Sequence, residues 1–164
     1  GRFACSMARR TPSTSLHDYM ALSSTPFSPT LLNISTGWGG VRKRPNEEIV
    51  ILVSSLARVN SAGLKWIFTD KHAYYRWANY YSDLADLEKI DWPILQARDF
   101  RRDPDDPEKF ERYQAEALVH QHVPVAGLMG IVCYTDALKQ SIEQQAAQRG
   151  LQLEVYVRTD WYFQ

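Results

Sequence analysis

One acidic residue, Glu116, is placed where it can take part in chemistry. It lies in residues 112–120, a segment that reads as an extended strand. Strand alternation puts Gln114 and Leu118 on the same side as Glu116, whereas its direct neighbours are alanines on the other side. A carboxylate in such a strand is costly unless it is paired or faces a cleft. Two interpretations remain open: a surface strand with a solvated glutamate, or an acid at a sheet end that stabilises positive charge in a reaction.

Two further groups of polar residues are candidates for a site. His72 follows a predicted strand and ends the polar run 70–72, and polar residues at strand ends often belong to sites. A lone histidine can equally be structural. The pair Arg9–Arg10 lies on a predicted short helical turn that Pro12 ends. Paired arginines are often solvated, yet the guanidinium is the group best suited to grip phosphate or carboxylate.

The segment 37–44 combines glycines, one tryptophan and a basic run. Trp38 stands among three glycines and can stack on a base or ring, or plug the core. Arg42, Lys43 and Arg44 follow it. The glycine spacing matches neither the dinucleotide-binding fingerprint nor a P-loop, so it predicts no phosphate cradle.

Composition and charge narrow the class of protein. The 164 residues predict one domain with a substantial core. The formal net charge is zero, but residues 1–72 hold nine Lys/Arg against four Asp/Glu, and the remainder hold ten against fifteen. A basic first half can attract a polyanion such as a nucleic acid or a dinucleotide, unless the two halves interleave on the folded surface.

The cysteines and the hydropathy pattern point to an intracellular protein. Cys5 and Cys133 are too far apart in sequence to suggest a metal-ligand pair, and their low number fits a reduced compartment. No apolar run reaches the eighteen residues of a membrane span, and the first residues do not read as a secretory signal. We therefore expect a cytoplasmic protein without a metal site and without a membrane segment.

The elements that position these residues follow from periodicity and capping signals. The Glu116 segment is one predicted strand, and the others are residues 16–22, 49–53, 65–69, 128–133 and 151–157. Helices are predicted at residues 31–34, 56–61, 73–90 and 137–149. Strands and helices mix without regular βαβ alternation, so the predicted fold class is α+β.

The longest predicted helix, residues 73–90, rests on an aromatic and aliphatic stripe. Its members recur at steps of three and four residues, which is typical of the buried face of a helix: Trp77, Tyr80, Tyr81, Leu84 and Leu87. We expect this stripe to pack in the core.

Several short strings together resemble the DarT family of DNA ADP-ribosyltransferases, the toxins of toxin–antitoxin pairs. They occur in the family's order over residues 9–162: Leu16-His17-Asp18-Tyr19, Val53-Ser54-Ser55, Phe68-Thr69-Asp70-x-His72, Asp91-Trp92, Gln114-Ala115-Glu116-x-Leu118-Val119 and Arg158-x-Asp160-Trp161-Tyr162. Each string alone is a weak signal, whereas six in order are specific.

The resemblance implies a fold, a reaction and a partner. The fold is an ADP-ribosyltransferase-like split β-sheet that clasps NAD+ in a single domain, residues 1–164. The reaction transfers ADP-ribose from NAD+ to a base of single-stranded DNA at a short sequence motif. The implied partner is an antitoxin with a macrodomain, similar to DarG, that removes the modification. We expect a monomer.

The resemblance also implies roles for individual residues. Glu116 takes the place of the catalytic glutamate, and Arg10, with Arg9 as the second choice, that of the essential arginine, which also contacts NAD+. His72 and Tyr19 are the other implied NAD+ contacts. Loops on a rigid sheet commonly carry recognition, so the loops at residues 23–30 and 38–44 are candidates for DNA contact. In the second loop Trp38 can stack on a base, and the cations that would meet phosphates are Arg42, Lys43 and Arg44.

Two departures from the family pattern are visible. The family's Pro-Arg-Ser-Pro-Met-like loop corresponds here to Pro26-Phe27-Ser28-Pro29-Thr30, which lacks the arginine and the methionine. Family members also carry a Tyr-His-x-Thr-like segment near their start that contacts NAD+. No match to it is found in the present sequence, so the N-terminal NAD+-contacting segment is expected to be missing.

Overall fold

A mixed eight-stranded sheet organises the protein. The computed structural model describes residues 3–5, 16 and 18–164. The strands are β1 (Phe3–Cys5), β2 (Tyr19–Ser23), β3 (Ile51–Ser54), β4 (Trp66–Thr69), β5 (Tyr80–Tyr81), β6 (Glu116–His120), β7 (Gly130–Cys133) and β8 (Val155–Val157). Their order across the sheet is β5-β4-β6-β2-β1-β3-β7-β8. Among the strand pairs of the described residues, only β7–β8 is parallel.

Five α-helices flank the sheet in the part of the chain that the structure describes. They are α1 (Pro29–Thr36), α2 (Leu56–Ser61), α3 (Trp92–Ala97), α4 (Lys109–Arg112) and α5 (Asp136–Gln148). Most of these helices have an N-cap residue whose side chain is a hydroxyl or a carboxylate. Ser28, Ser55, Asp91 and Thr135 each accept a hydrogen bond from a backbone N–H of the following turn. The α+β class is therefore confirmed.

The sheet has two halves that meet at β1. On one side β2, β4 and β6 form a ladder in which Ser23 pairs with Glu116 and Tyr19 with His120. On the other side β3, β7 and β8 pair in turn. Strand β1 joins them, and its register with β2 is a single residue pair, Ala4–Ser23. Each half has its own hydrophobic cluster, one containing Phe68 and Val119 and the other Val53 and Tyr162.

The prediction of a helix at residues 73–90 is wrong. Residues 71–79 form an irregular loop, residues 80–81 form β5, and a 3-10 helix spans Leu84–Lys89. Tyr81, Leu84 and Leu87 do pack on the core, whereas Trp77 and Tyr80 are 56% and 48% exposed. Tertiary hydrogen bonds hold the loop in a non-helical path, and they outweigh the modest helical preference of the segment.

Other predictions differ from the structure at their edges. Strand β2 begins at Tyr19 rather than at residue 16, and β8 begins at Val155 rather than at residue 151. Strand β1 was not predicted, because three residues are too few to show alternation. The short helical turn predicted around Arg9–Arg10 lies outside the described residues.

An ion-pair network holds the segment that leads into β6. Arg112 contacts two carboxylates, Asp91 at 3.0 Å and Asp106 through both guanidinium NH2 groups. Lys109 contacts Asp99 at 3.0 Å, and the backbone N–H of Asp99 donates to the hydroxyl of buried Tyr113 at 2.7 Å. The network ties α3 and α4 together immediately before Glu116.

The network makes stability depend on pH. The hydrogen bond from Arg112 lowers the pKa of Asp106 below its ordinary value of 3.8. A carboxylate with a lowered folded-state pKa stabilises the protein above its unfolded-state pKa, and the contribution is lost as pH falls through the folded-state value. Asp106→Asn is therefore expected to lower the melting temperature at pH 5 to 8, and this difference from wild type should shrink steadily below about pH 4.

Melting curves of wild type and Asp106→Asn across the pH series measure this effect. Asp105→Asn is the matched control, since the Asp105 side chain is exposed and makes no ion pair among the described residues. Equal melting temperatures of wild type and Asp106→Asn at pH 7 would contradict the prediction, as would a difference that persists unchanged to pH 2.

Candidate active site

Glu116 is the first residue of β6 and is held from two sides. Its Oε1 accepts a hydrogen bond from the backbone N–H of Ala73 at 2.8 Å. Its side chain is 14% exposed, so the carboxylate is sheltered but reachable. The first interpretation from the sequence, a solvated surface glutamate, is therefore wrong, because a loop covers this end of the strand and supplies a donor.

His72 lies against the same carboxylate oxygen. Its Nδ1 is 3.1 Å from Glu116 Oε1 and 3.1 Å from the backbone nitrogen of Tyr74. One ring nitrogen cannot accept and donate at once. Unprotonated, Nδ1 accepts from the Tyr74 N–H; protonated, it donates to Glu116. The position of one proton thus decides whether His72 is bonded to its own loop or to the acid.

The loop that covers Glu116 is anchored at both ends. At the β5 end, the Asp70 carboxylate accepts from the backbone N–H of Asn79 at 2.9 Å and from its side-chain amide at 2.8 Å. Toward α4, Lys71 Nζ donates to Glu108 at 2.7 Å. That hydrogen bond is the main reason the pKa of Lys71 is raised. These anchors fix the backbone N–H that binds Glu116.

Two hydroxyl groups position the loop further. The Thr69 hydroxyl, which is completely buried, donates to the Lys71 carbonyl at 2.5 Å and lies 3.3 Å from the Glu116 carbonyl. The Tyr80 hydroxyl donates to the Ala73 carbonyl at 2.6 Å. Burial, and secondly the charge of Glu116, raises the pKa of Tyr80, so this phenol stays protonated and remains a donor.

Tyr19 is not brought next to Glu116. It pairs with His120 at the opposite end of β2, roughly 13 Å along the strand from Ser23, the residue that faces Glu116. Its ring contacts the His120 ring edge-on at 5.3 Å. Strand alternation nevertheless puts Tyr19 and Ser23 on the same face of the sheet. An extended dinucleotide can span that distance, so the NAD+ role of Tyr19 stays a prediction.

The glycine-rich and basic segment borders a groove elsewhere on the surface. Trp38 is 73% exposed, which excludes the alternative that it plugs the core. Arg42 and Lys43 are exposed, and Arg44 forms an exposed ion pair with Glu48 at 3.0 Å. A groove of about 460 Å³ lies between α1, Lys43, Arg44 and the final residues of the chain. Within the described residues, no hydrogen bond or ion pair joins this segment to Glu116.

Arg9 and Arg10 lie outside the described residues. In the part of the chain that the structure describes, no cluster of His, Cys, Asp and Glu side chains has the arrangement to hold a metal ion. No helix of the described ranges is long and apolar enough to cross a bilayer.

Comparison with known proteins settles the family. The sequence model of one protein family, the single-stranded-DNA thymidine ADP-ribosyltransferase DarT, matches residues 4–163, nearly the whole chain. The chain belongs to the DarT family. A DNA ADP-ribosyl transferase of Escherichia coli O127:H6 is 59% identical over 148 residues, which cover 90% of this chain and 68% of the relative.

Solved DarT structures share the fold. Thermus sp. 2.9 DarT in complex with ADP-ribosylated single-stranded DNA matches with a TM-score of 0.82 and 32% identity, covering 95% of this chain and 74% of that one. The same protein in complex with NAD+ matches with a TM-score of 0.80 and 33% identity, covering 90% and 74%. The resemblance seen in the sequence motifs is thus confirmed for both family and fold.

Sequence reasoning singled out Glu116 and His72, which the structure brings together, but not the groups that hold them. The donor to Glu116 is a backbone N–H, and every non-proline residue has one, so no residue type marks it. Tyr80 was assigned to the core because of its spacing. Thr69 is part of the Phe68-Thr69-Asp70-x-His72 string, which was the one available signal for its role.

Proposed function

We propose that this protein is an NAD+-dependent ADP-ribosyltransferase that modifies thymine in single-stranded DNA and acts as the toxin of a toxin–antitoxin pair. One observation carries the proposal: Glu116, which the sequence motifs assign as the catalytic acid, is sheltered, held by the Ala73 N–H and adjacent to His72. The family match over residues 4–163 supports the choice of substrate.

The chemistry begins with the bond between nicotinamide and ribose. As that C–N bond breaks, nicotinamide leaves as a neutral molecule and the anomeric carbon gains oxocarbenium character. A fixed carboxylate beside this carbon stabilises the transition state more than the neutral ribose of the ground state. Because the Ala73 N–H holds Glu116 before substrate binds, little reorganisation is needed when the charge develops.

The second half of the reaction forms the bond to the base. An atom of thymine attacks the anomeric carbon and the base loses one proton. The Glu116 carboxylate or the unprotonated Nδ1 of His72 can take that proton, since each then has a free lone pair. Arg10 is assigned the role of holding the pyrophosphate or steering the acceptor base, and Tyr19 that of a further NAD+ contact.

The DNA strand is proposed to use the exposed cations of the front half. Arg42, Lys43 and Arg44 would meet phosphates, and the exposed Trp38 would stack on a base. The proposed partner in the cell is a macrodomain antitoxin similar to DarG. The protein is proposed to act as a monomer in the cytoplasm, where NAD+ and single-stranded DNA are both present.

Mass spectrometry of oligonucleotides tests the function directly. Purified protein is incubated with NAD+ and with oligonucleotides that contain thymine in all contexts or lack it. We expect the mass of one ADP-ribose to be added only to thymine-containing single strands, with release of nicotinamide. Modification of RNA or protein instead, or no nicotinamide release with any of these substrates, would overturn the proposal.

A further inference from the structure

The loop that covers Glu116 carries a second, outward-facing feature. Its residues Tyr74-Tyr75-Arg76-Trp77 are three aromatic rings with one cation among them. Tyr74 is 76% exposed and Trp77 is 56% exposed. Aromatic rings this exposed leave apolar area in water, and contiguous exposed apolar area commonly marks a binding surface.

The rings are ordered relative to one another. Tyr75 and Trp77 stack with their centroids 5.1 Å apart and their planes at 19°. Trp77 Nε1 donates to Glu111 at 2.7 Å, which fixes the indole against α4. Tyr75 also forms an edge-to-face contact with the His72 ring, with the ring centroids 6.0 Å apart. A continuous line of contacts therefore runs from Glu116 through His72 and Tyr75 to Trp77.

A free cation accompanies the stack. Arg76 is exposed, and it makes no hydrogen bond or ion pair with any residue the structure describes. By contrast, Lys71 of the same loop is occupied by Glu108. The loop thus presents flat rings and one available guanidinium beside the proposed reacting centre, the combination that binds the bases and phosphates of a single strand.

We propose that the Tyr75–Trp77 stack is a platform for a base of the DNA strand next to the acceptor thymine, with Arg76 on the adjoining phosphate. This inference rests on the proposed function, which supplies the single strand. A base that stacks on the platform would hold its neighbour over Glu116. The platform therefore acts as a positioning and specificity surface and takes no direct part in bond breaking.

Exposure favours DNA over NAD+ as the occupant. A dinucleotide substrate is normally enclosed in a concave site that buries most of its surface. Tyr74 and Trp77 are instead exposed to solvent. An open surface of this kind suits a DNA single strand, which continues beyond the site in both directions. If the platform served NAD+, its loss would weaken NAD+ binding, and this is a separate measurable outcome.

Binding of a fluorescein-labelled, thymine-containing oligonucleotide without NAD+ tests the platform in the absence of any reaction. Trp77→Ala is expected to raise Kd about tenfold, since stacking on an aromatic side chain typically contributes about a factor of five or more per base. Trp77→Phe keeps a ring in the stack but loses the bond to Glu111, and should retain most of the affinity. Tyr156→Ala removes a ring of similar exposure on β8 and should bind like wild type.

The salt dependence of oligonucleotide binding distinguishes the contribution of Arg76 from that of the aromatic rings. Arg76→Ala should reduce the slope of log K against log salt by about 0.7, the value for one phosphate contact on a single strand. Trp77→Ala should shift the affinity and leave the slope unchanged, because stacking releases no counterions. Arg76→Ala with an unchanged slope would remove the phosphate contact from the proposal.

Kinetics of the same variants decide the remaining alternatives. With NAD+, Trp77→Ala should raise KM for the oligonucleotide about tenfold and leave KM for NAD+ unchanged. Unchanged oligonucleotide binding in Trp77→Ala overturns the platform. So does a raised KM for NAD+, or a Trp77→Phe variant as impaired as Trp77→Ala, which would mean that the bond to Glu111 matters and the ring does not. If neither wild type nor any variant transfers ADP-ribose, the proposed function fails. The binding series without NAD+ still tests the platform in that case.

Discussion

Glu116→Gln is expected to reduce ADP-ribose transfer to DNA by at least a hundredfold. The amide keeps the shape of the side chain and can still accept from the Ala73 N–H, now 2.8 Å from the carboxylate oxygen. It removes the negative charge that stabilises the oxocarbenium-like transition state, and losing one preorganised electrostatic group typically costs about 3 to 4 kcal/mol of barrier. Single-turnover transfer with saturating NAD+ and oligonucleotide measures the change.

The control for this variant is the same substitution at an exposed glutamate outside the proposed active site. Glu88→Gln alters an exposed side chain on the 3-10 helix before α3 and should transfer at the wild-type rate. Melting temperatures should show that Glu116→Gln is folded, because the backbone hydrogen bond remains. A Glu116→Gln protein that keeps more than a tenth of wild-type activity would exclude Glu116 as the catalytic acid.

Arg10→Ala is expected to have the next largest effect, a loss of roughly a hundredfold in transfer. A guanidinium that holds the pyrophosphate or the acceptor base makes two parallel hydrogen bonds, and alanine makes none. Arg10→Lys should recover only part of the activity, since an ammonium lacks the planar fork. Measuring kcat and KM for NAD+ separately shows whether Arg10 acts in binding, in the chemical step or in both.

Arg9→Ala is the matched control, because it removes the same group one residue away. It should stay within about threefold of wild type, since the sequence motifs assign the essential role to Arg10 and most substitutions outside such a role have small effects. The reverse result, with Arg9→Ala inactive and Arg10→Ala active, would assign the essential role to Arg9, the second choice from the sequence motifs.

The sequence predicted the strands of this site better than the loop over it. The strand at 66–69 and the one containing Glu116 are short, apolar and bounded by turn residues, so their pattern alone is informative. Helix capping by Thr135 and Ser55 is local in the same way, because each side chain accepts from a backbone N–H only three positions along the chain. Local features of this kind are visible in a single sequence.

The loop at residues 70–80 was not predictable in the same way. Its aromatic residues follow helical spacing, and only distant partners reveal its true path: Glu111 for Trp77 and Glu108 for Lys71. Both partners lie more than thirty residues away. Periodicity carries no information on such pairs, so rings that face solvent were assigned to the core.

The role of β1 has a practical consequence for shortened versions of this protein. Phe3–Cys5 lies between β2 and β3, and pairs with both. Deleting it would open two rows of unsatisfied N–H and C=O groups in the middle of the sheet, the kind of edge that recruits strands from other molecules. Trimming the front of the chain past Cys5 should therefore produce aggregates, even though every residue around Glu116 would still be present.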